Sequence, residues 1–113
     1  MKYIIFGILI FIIVFSCELF PRVDVDSQHT INQSFNSIDY GPVVINRTII
    51  NRGESSLRLI EIEITIMTIE ENYKTYDVIH SFNVGEQYSQ IYIIDTGGKA
   101  YIDYIIHETI HVF

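Results

Sequence analysis

The chain has 113 residues, with 14 acidic against 7 basic side chains and a formal net charge of −7 at pH 7. This length fits one domain with a modest core, and the acidic balance lacks the basic surface that binding to nucleic acid requires. The single cysteine excludes a disulfide within the chain, so packing must supply the stability. Eight Tyr, abundant Ile and no Trp make a strand-forming composition.

The first 17 residues read MKYIIFGILIFIIVFSC and have the pattern of a secretory signal. Lys2 supplies a positive charge, and residues 3–15 form an apolar run. As a helix this run spans roughly 20 Å, at ~1.5 Å per residue, against the ~30 Å hydrocarbon core of a bilayer. The pattern therefore predicts export of the following domain. The alternative is an ordinary signal peptide or an uncleaved anchor, followed by an incidental cysteine.

Val14, Ser16 and Cys17 end this run in a pattern that resembles the lipobox of bacterial lipoproteins, although Phe15 is bulkier than the residue usual there. The resemblance implies cleavage before Cys17 and acylation of its thiol by fatty acid such as palmitate. Two acyl chains suffice for stable anchoring to a membrane. The predicted organisation is a signal peptide at 1–16, an acylated N-terminus and tether at 17–27, and a β-domain at 28–113. The implied location is the bacterial cell envelope: outer membrane, periplasmic face or cell surface.

Six runs of alternating or β-branched residues follow, with residues 23–26 as a candidate seventh. The six runs cover residues 30–35, 43–50, 57–69, 75–84, 87–94 and 100–113. Turn residues separate them: the cluster 51–56 offers Gly53 for a positive φ, and the loop 95–99, with two glycines, predicts a hairpin. No run has a helical period. The sequence therefore predicts an all-β fold, a small antiparallel sandwich of six or seven strands.

Alternation within three of these runs predicts which side chains face the core. The core parities are Ile60, Ile62, Ile64 and Ile66; then Tyr76, Val78, His80, Phe82 and Val84; and last Ala100, Ile102, Tyr104, Ile106, Ile110 and Val112. On the second parity His80 is interpreted as a partly buried structural histidine. Glu108 is the sole interruption of the third.

Residues 41–94 resemble the small immunoglobulin-like domains of exported bacterial proteins, particularly the FxLYD type. The resemblance rests on the Asn51 and Gly53 turn, the long strand at 57–68 and the Gly85-Glu86 pair. The Phe-x-Leu-Tyr-Asp motif itself is replaced by Ile-Met-Thr-Ile-Glu at 66–70. The resemblance implies an immunoglobulin-like sandwich and no catalytic site.

Residues 107–111 read His-Glu-Thr-Ile-His and satisfy the H-E-x-x-H pattern. On a helix, His107 and His111 would share a zinc ion and Glu108 would act as general base. On a strand, four residues separate the two histidines by roughly 13 Å, too far to ligate one metal. The surrounding β-branched alternation favours a strand, with both histidines on its outer face.

The sequence favours a non-enzymatic binding or structural module of the cell envelope, held to the membrane by lipid at Cys17. An exposed strand edge or a loop would contact an envelope or host protein. No cofactor, small-molecule substrate or nucleic acid is predicted. The alternative is a minimal zinc-dependent hydrolase that uses residues 107–111. Tyr88, Tyr92 and Tyr101 would form an aromatic surface if exposed, but half-buried packing is the more common arrangement.

Overall fold

The structure, a computed structural model, describes residues 22–113. These residues form six antiparallel strands and no helix. The strands are β1 (Val25–Phe35), β2 (Tyr40–Asn51), β3 (Leu57–Met67), β4 (Asn72–Phe82), β5 (Gln87–Ile94) and β6 (Asp103–Val112). The predicted all-β sandwich is confirmed. The predicted signal peptide and Cys17 lie outside the described residues. β1 begins at Val25, so its first three residues belong to the segment predicted as tether.

Two three-stranded sheets form the domain. Sheet I has the order β1-β2-β5 and sheet II the order β4-β3-β6. The β1–β2 and β3–β4 connections are hairpins, whereas the other three connections cross between the sheets. The predicted hairpin at residues 95–99 is therefore wrong, because β5 and β6 lie in different sheets. Gly97 and Gly98 do adopt positive φ values, 65° and 85°. Such glycines indicate a sharp reversal of the backbone, but they do not determine which strand pairs next.

The apolar core lies between the central strands β2 and β3. The predicted inward parity of β3 is confirmed, since its four isoleucines are between 0% and 2% exposed. Burial of one such side chain contributes about 1.5–3 kcal/mol. Sheet I supplies the opposing layer. The buried apolar residues are Val43, Ile45, Ile49, Leu57, Ile60, Ile62, Ile64, Ile66, Ile79, Phe82, Tyr92 and Ile94.

The predicted parity of β4 is wrong for all but one of its residues. Ile79 and Phe82 are buried, whereas Tyr76, Val78 and His80 are exposed on the outer face of sheet II. Ile79 and Phe82 face the same side of the sheet although they are three positions apart. The reason is that the strand departs from regular pleating at Ser81, which has a φ of 52°. The local shift brings Phe82 to the inner face with Ile79. His80 is therefore an exposed residue rather than a partly buried structural histidine.

The two ends of the sandwich carry different sets of loops. The proximal pole comprises residues 22–24 with the loops 52–56 and 83–86, and the distal pole comprises the loops 36–39, 68–71 and 95–102. At the proximal pole, the amides of Arg52 and Glu54 donate to the carbonyls of Asp24 and Arg22 at 2.9 and 2.8 Å. The chain thus enters the domain at the end opposite the three distal loops.

Gly53 allows this contact at the proximal pole through its small size. A Cβ there would lie 2.6 Å from the Arg22 carbonyl oxygen and 2.8 Å from the Asp24 nitrogen. The predicted positive φ at Gly53 is wrong, because within the described chain only Gly85, Gly97 and Gly98 among the glycines adopt one. Gly53 is needed here for close approach of two backbones.

Candidate functional site

The His-Glu-Thr-Ile-His motif lies on β6 and divides between its two faces. His107 is exposed and His111 half-buried on the outer face of sheet II, whereas Glu108 points into the sandwich toward Arg47. Along a strand the two histidine Cα atoms are roughly 13 Å apart. The arrangement that the zinc-hydrolase alternative requires, with two convergent histidines and a glutamate beside them, is not formed by this strand.

Each histidine instead faces a carboxylate of β3. Arg58 Nη2 donates to His111 Nδ1 at 3.4 Å, so the ring proton lies on Nε2, which donates to Glu61 at 3.2 Å. His107 stands opposite Glu63 in the register of β3 with β6. Within residues 22–113, no three His, Cys, Asp or Glu side chains are grouped so that they could hold a metal ion.

A buried ion pair joins the two sheets. Arg47 of β2 contacts Glu108 of β6 across the interior. Arg47 is only 3% exposed, and burial lowers the pKa of its guanidinium. Its Nε and Nη1 atoms have no hydrogen-bond partner among the described residues. Both groups lose hydration, so we expect the pair to orient the sheets more than to add net stability.

The strand parities in the sequence indicate this ion pair, although Glu108 also belongs to the His-Glu-Thr-Ile-His motif. Arg47 shares its strand parity with the apolar Val43, Ile45 and Ile49, and Glu108 interrupts the inward parity of β6. A single charged residue on the core-facing side of one predicted strand indicates that the strand is assigned wrongly. Two oppositely charged residues on the core-facing sides of two strands indicate an ion pair across the core.

A second polar cluster joins the two sheets on the β4–β5 side of the sandwich. The Tyr88 and Tyr92 hydroxyls both donate to Asp77 Oδ2 on β4, at 2.9 and 2.6 Å. Burial, together with the hydrogen bond to this carboxylate, raises the pKa of both phenols. These two tyrosines, like Tyr101, pack in or against the core. They do not form an exposed aromatic surface.

A cleft opens between the edge strands β1 and β6. His29 Nε2 lies 2.9 Å from the Tyr104 hydroxyl across this cleft, and the two rings meet edge to face with centroids 5.5 Å apart. The cleft has a volume of about 310 Å³ and is lined by Ser27, His29, Arg47, Ile106 and Glu108. Both Arg47 and Glu108 are engaged with each other, which leaves the cleft without a free charge from this pair.

An apolar groove of about 310 Å³ lies among the three distal loops. Ile38 and Ile69 are 85% and 88% exposed at its sides, and Phe35 and Ile102 add exposed apolar area at the same pole. Its lining residues are Ile38, Tyr40, Ile69, Glu70, Gly98, Lys99 and Ala100. Large apolar side chains from two separate loops, Ile38 and Ile69, thus line the groove in solvent, an arrangement typical of a contact surface.

Lys99 connects two of these loops. Its Nζ lies 2.7 Å from Glu71 Oε1, 3.1 Å from Glu70 Oε2 and 3.2 Å from the Tyr73 hydroxyl. Hydrogen bonds from Lys99 and Tyr73 lower the pKa of Glu71, and the bond to Glu71 contributes most to the raised pKa of Lys99. The only lysine of the distal pole is therefore neutralised by its neighbours. The rim of the groove keeps an acidic character.

A comparison of the chain with protein-family models, curated proteins and solved structures found no match. The resemblances to bacterial lipoproteins and to FxLYD-type domains therefore stay predictions. Within residues 22–113 there is no helix long and apolar enough to cross a membrane.

Proposed function

We propose that the chain is a membrane-tethered, non-enzymatic binding module of the cell envelope, and that its distal pole docks a partner protein. The exposed apolar groove at this pole carries the proposal. Ile38 and Ile69 line the groove from two different loops, and the exposed Ile102 lies on the third distal loop, so no single badly packed segment explains the exposure of all three. Apolar side chains that converge in this way gain most from burial against a second surface.

The charges around the groove define the partner. Asp39, Glu70, Asp95 and Asp103 lie on the distal loops or at their ends, and Lys99 is held by two glutamates. An anionic lipid surface would be repelled by this rim. The partner is a protein whose contact surface combines apolar side chains with Lys or Arg.

Crosslinking in intact cells tests the docking surface. A photoreactive phenylalanine analogue at position 69 should crosslink to a protein, whereas the analogue at position 84 should not. Val84 is a matched control, because it is an apolar side chain 52% exposed on the proximal pole. Mass spectrometry should place the crosslink in a segment rich in Lys, Arg and apolar residues. Equal crosslinking at both positions would contradict the proposal.

Measurements with the identified partner make the test quantitative. Ile69→Lys should weaken binding at least tenfold, which corresponds to about 1.4 kcal/mol, because it places a charge within the apolar contact and repels the Lys or Arg side chains of the partner. Val84→Lys should leave the affinity unchanged. The far-UV circular dichroism of both variants should match that of the parent chain, since both side chains lie in solvent.

The tether rests on Cys17, which the sequence pattern alone supports. Cells supplied with labelled palmitate should label the parent chain, and the chain should partition into a detergent phase. Ser16→Ala preserves the small residue before the cysteine and should keep the label. Cys17→Ser should lose both properties. If Cys17→Ser kept both the label and the detergent partitioning, the lipoprotein assignment would be wrong. The proposed docking at the distal groove would then depend on the crosslinking result alone.

A further inference from the structure

Four strands lie at sheet edges: β1 and β5 in sheet I, and β4 and β6 in sheet II. An edge strand exposes unpaired backbone N–H and C=O groups and so invites pairing with another chain. Proteins prevent this pairing with charged residues, prolines, bulges or hydrogen bonds that occupy the free groups. The four edges of this domain differ sharply in such protection.

Three of the edges are protected. On β4 and β6, Asp77 and Asp103 each accept a hydrogen bond from the amide of the following residue, at 2.8 Å in both cases. β6 also departs from regular register with β3 between Leu57 and Leu59. β1 carries the charged Asp26, which pairs with Arg52 at 3.0 Å, and its register with β2 is irregular at its distal end, between Gln33 and Phe35. These features disturb the regular array of groups that an added strand would need.

β5 has no charged residue and no irregular register, and the hydrogen bond that Gln90 Nε2 donates to its Ile91 carbonyl is long, at 3.4 Å. Its sequence, QYSQIYII, contains no Asp, Glu, Lys, Arg or Pro, and its register with β2 is regular over all eight residues. Ile91 and Ile93 point outward from sheet I and are 54% and 68% exposed. Strand β5 is therefore regular, uncharged and apolar on its exposed face, the combination that favours pairing between edges.

The backbone groups available on β5 can be identified. The Asn51 amide donates to the Glu86 carbonyl at 3.1 Å, and residues bonded to β2 alternate along an antiparallel pair. By this alternation from Glu86, the residues that direct their N–H and C=O groups to the free edge are Gln87, Ser89, Ile91 and Ile93. The Ile91 carbonyl accordingly receives only the side-chain amide of Gln90, at a long 3.4 Å.

We propose that the β5 edge pairs with the β5 edge of a second copy of this chain in a two-fold antiparallel arrangement. With Ile91 opposite its counterpart, Ile93 lies opposite Ser89 of the other copy, and the exposed isoleucines form one apolar strip along the joint. The product is a continuous six-stranded sheet made of two copies of sheet I. Pairing through one edge and its own symmetry mate closes at a dimer.

Charge makes a second copy a suitable occupant. The chain carries a net charge of −7, so most contacts between two copies would bring acidic residues together. The β5 joint avoids this repulsion, because the strand has no ionisable carboxylate or amine. In the proposed register Glu86 lies opposite Thr96 of the other copy, and Asp95 lies opposite Gln87. The dimer requires neither acylation of Cys17 nor the distal groove.

Cysteine crosslinking tests the joint in membranes that contain the full chain. A mild oxidant should convert Ile91→Cys into a disulfide-linked dimer, because directly opposed residues have Cα atoms about 5.5 Å apart, within reach of a disulfide. Val78→Cys is the matched control, since Val78 is similarly exposed at 44% but lies on the outer face of sheet II. Equal crosslinking of the two variants, or none at position 91, would refute the two-fold joint.

A second measurement does not depend on disulfide geometry. The full chain in detergent should sediment as a dimer, and Ile91→Lys should raise the dimer dissociation constant at least tenfold by placing two like charges face to face. Val78→Lys should leave it unchanged. Unaltered far-UV circular dichroism would show that Ile91→Lys still folds. A monomeric parent chain, or a dimer insensitive to Ile91→Lys, would overturn the proposal.

Discussion

Arg47 and Glu108 show how a few charged residues organise the interior of this small domain. Each belongs to the inward parity of its strand, and each gives up hydration to reach the other. Removal of one partner leaves a buried charge without a counterion, which costs about 3–5 kcal/mol. Removal of both relieves the desolvation of both. The two changes should therefore be strongly non-additive.

Single and double replacements test this coupling. Glu108→Leu should lower the free energy of unfolding by about 3–5 kcal/mol, because it leaves Arg47, which is 3% exposed, without a counterion. Arg47→Met should lower it by less, because the Glu108 side chain that it leaves unpaired is 19% exposed. Arg47→Met combined with Glu108→Leu should lie within about 1–2 kcal/mol of the parent chain. Urea unfolding of the four proteins measures these values. A double variant less stable than both single variants would contradict the expected coupling.

Side-chain patterning predicted some of these residues and missed others for a physical reason. The four isoleucines of β3 were predictable because a strand with one wet face alternates strictly. Arg47 and Glu108 lay on core parities too, but a partnership between distant strands depends on which faces meet across the sandwich. Parity predicts the face of the strand on which each residue lies, but it does not predict which residue of the other sheet it contacts.

At the scale of single elements, an irregular backbone accounts for the wrong parity of β4. Ser81 shifts the pleat of β4, so Phe82 joins Ile79 in the core and the predicted face of that strand is reversed. Alternation is a reliable guide only between such irregularities. The existence of the strands was predictable from composition and turn residues. Their assignment to two sheets was not, because the loop 95–102 has the same local chemistry in a hairpin and in a crossing.

The link between the loops 68–71 and 95–102 should depend on pH through Glu71. Hydrogen bonds from Lys99 and Tyr73 lower the pKa of Glu71 in the folded chain. A lowered carboxyl pKa means that the link is present above the unfolded-state value and is lost as the pH falls through the folded-state value. Acidification from pH 7 to below the usual glutamate range should therefore weaken the contact between Lys99 and Glu71.

NMR spectra recorded across this pH range would check the prediction. The amide signals of Gly97 and Lys99 should move together with the titration of Glu71, while those of the β2 core residues stay in place. Glu71→Gln should abolish the shared transition. A transition that persists unchanged in Glu71→Gln would assign the effect to a different carboxylate.

At the scale of the whole molecule, two polar clusters join the sheets, one on each side of the apolar core. Arg47 and Glu108 with His29 and Tyr104 join the sheets on the β1–β6 side, and the Asp77 cluster joins them on the β4–β5 side. The core residues come from β2 to β5, with residues of β1 and β6 packed against them. Neither sheet can keep its apolar face buried without the other sheet.

The sandwich should therefore unfold in one step. Far-UV circular dichroism, which follows the strands, and tyrosine fluorescence, which follows the interior, should give the same midpoint in urea. The Arg47→Met variant should shift both midpoints equally. Separate midpoints for the two signals would show that one sheet persists without its partner.

The position of Arg22 at the proximal pole has a mechanical consequence. A force applied between Arg22 and the distal loops 68–71 or 95–102 must pass from β1 to its antiparallel neighbour β2. The ten residue pairs of that ladder, from Val25 with Asn51 to Phe35 with Tyr40, are then loaded side by side. Stretching must shear them together instead of peeling them apart in turn, which makes this small domain a stiff coupling between its two ends.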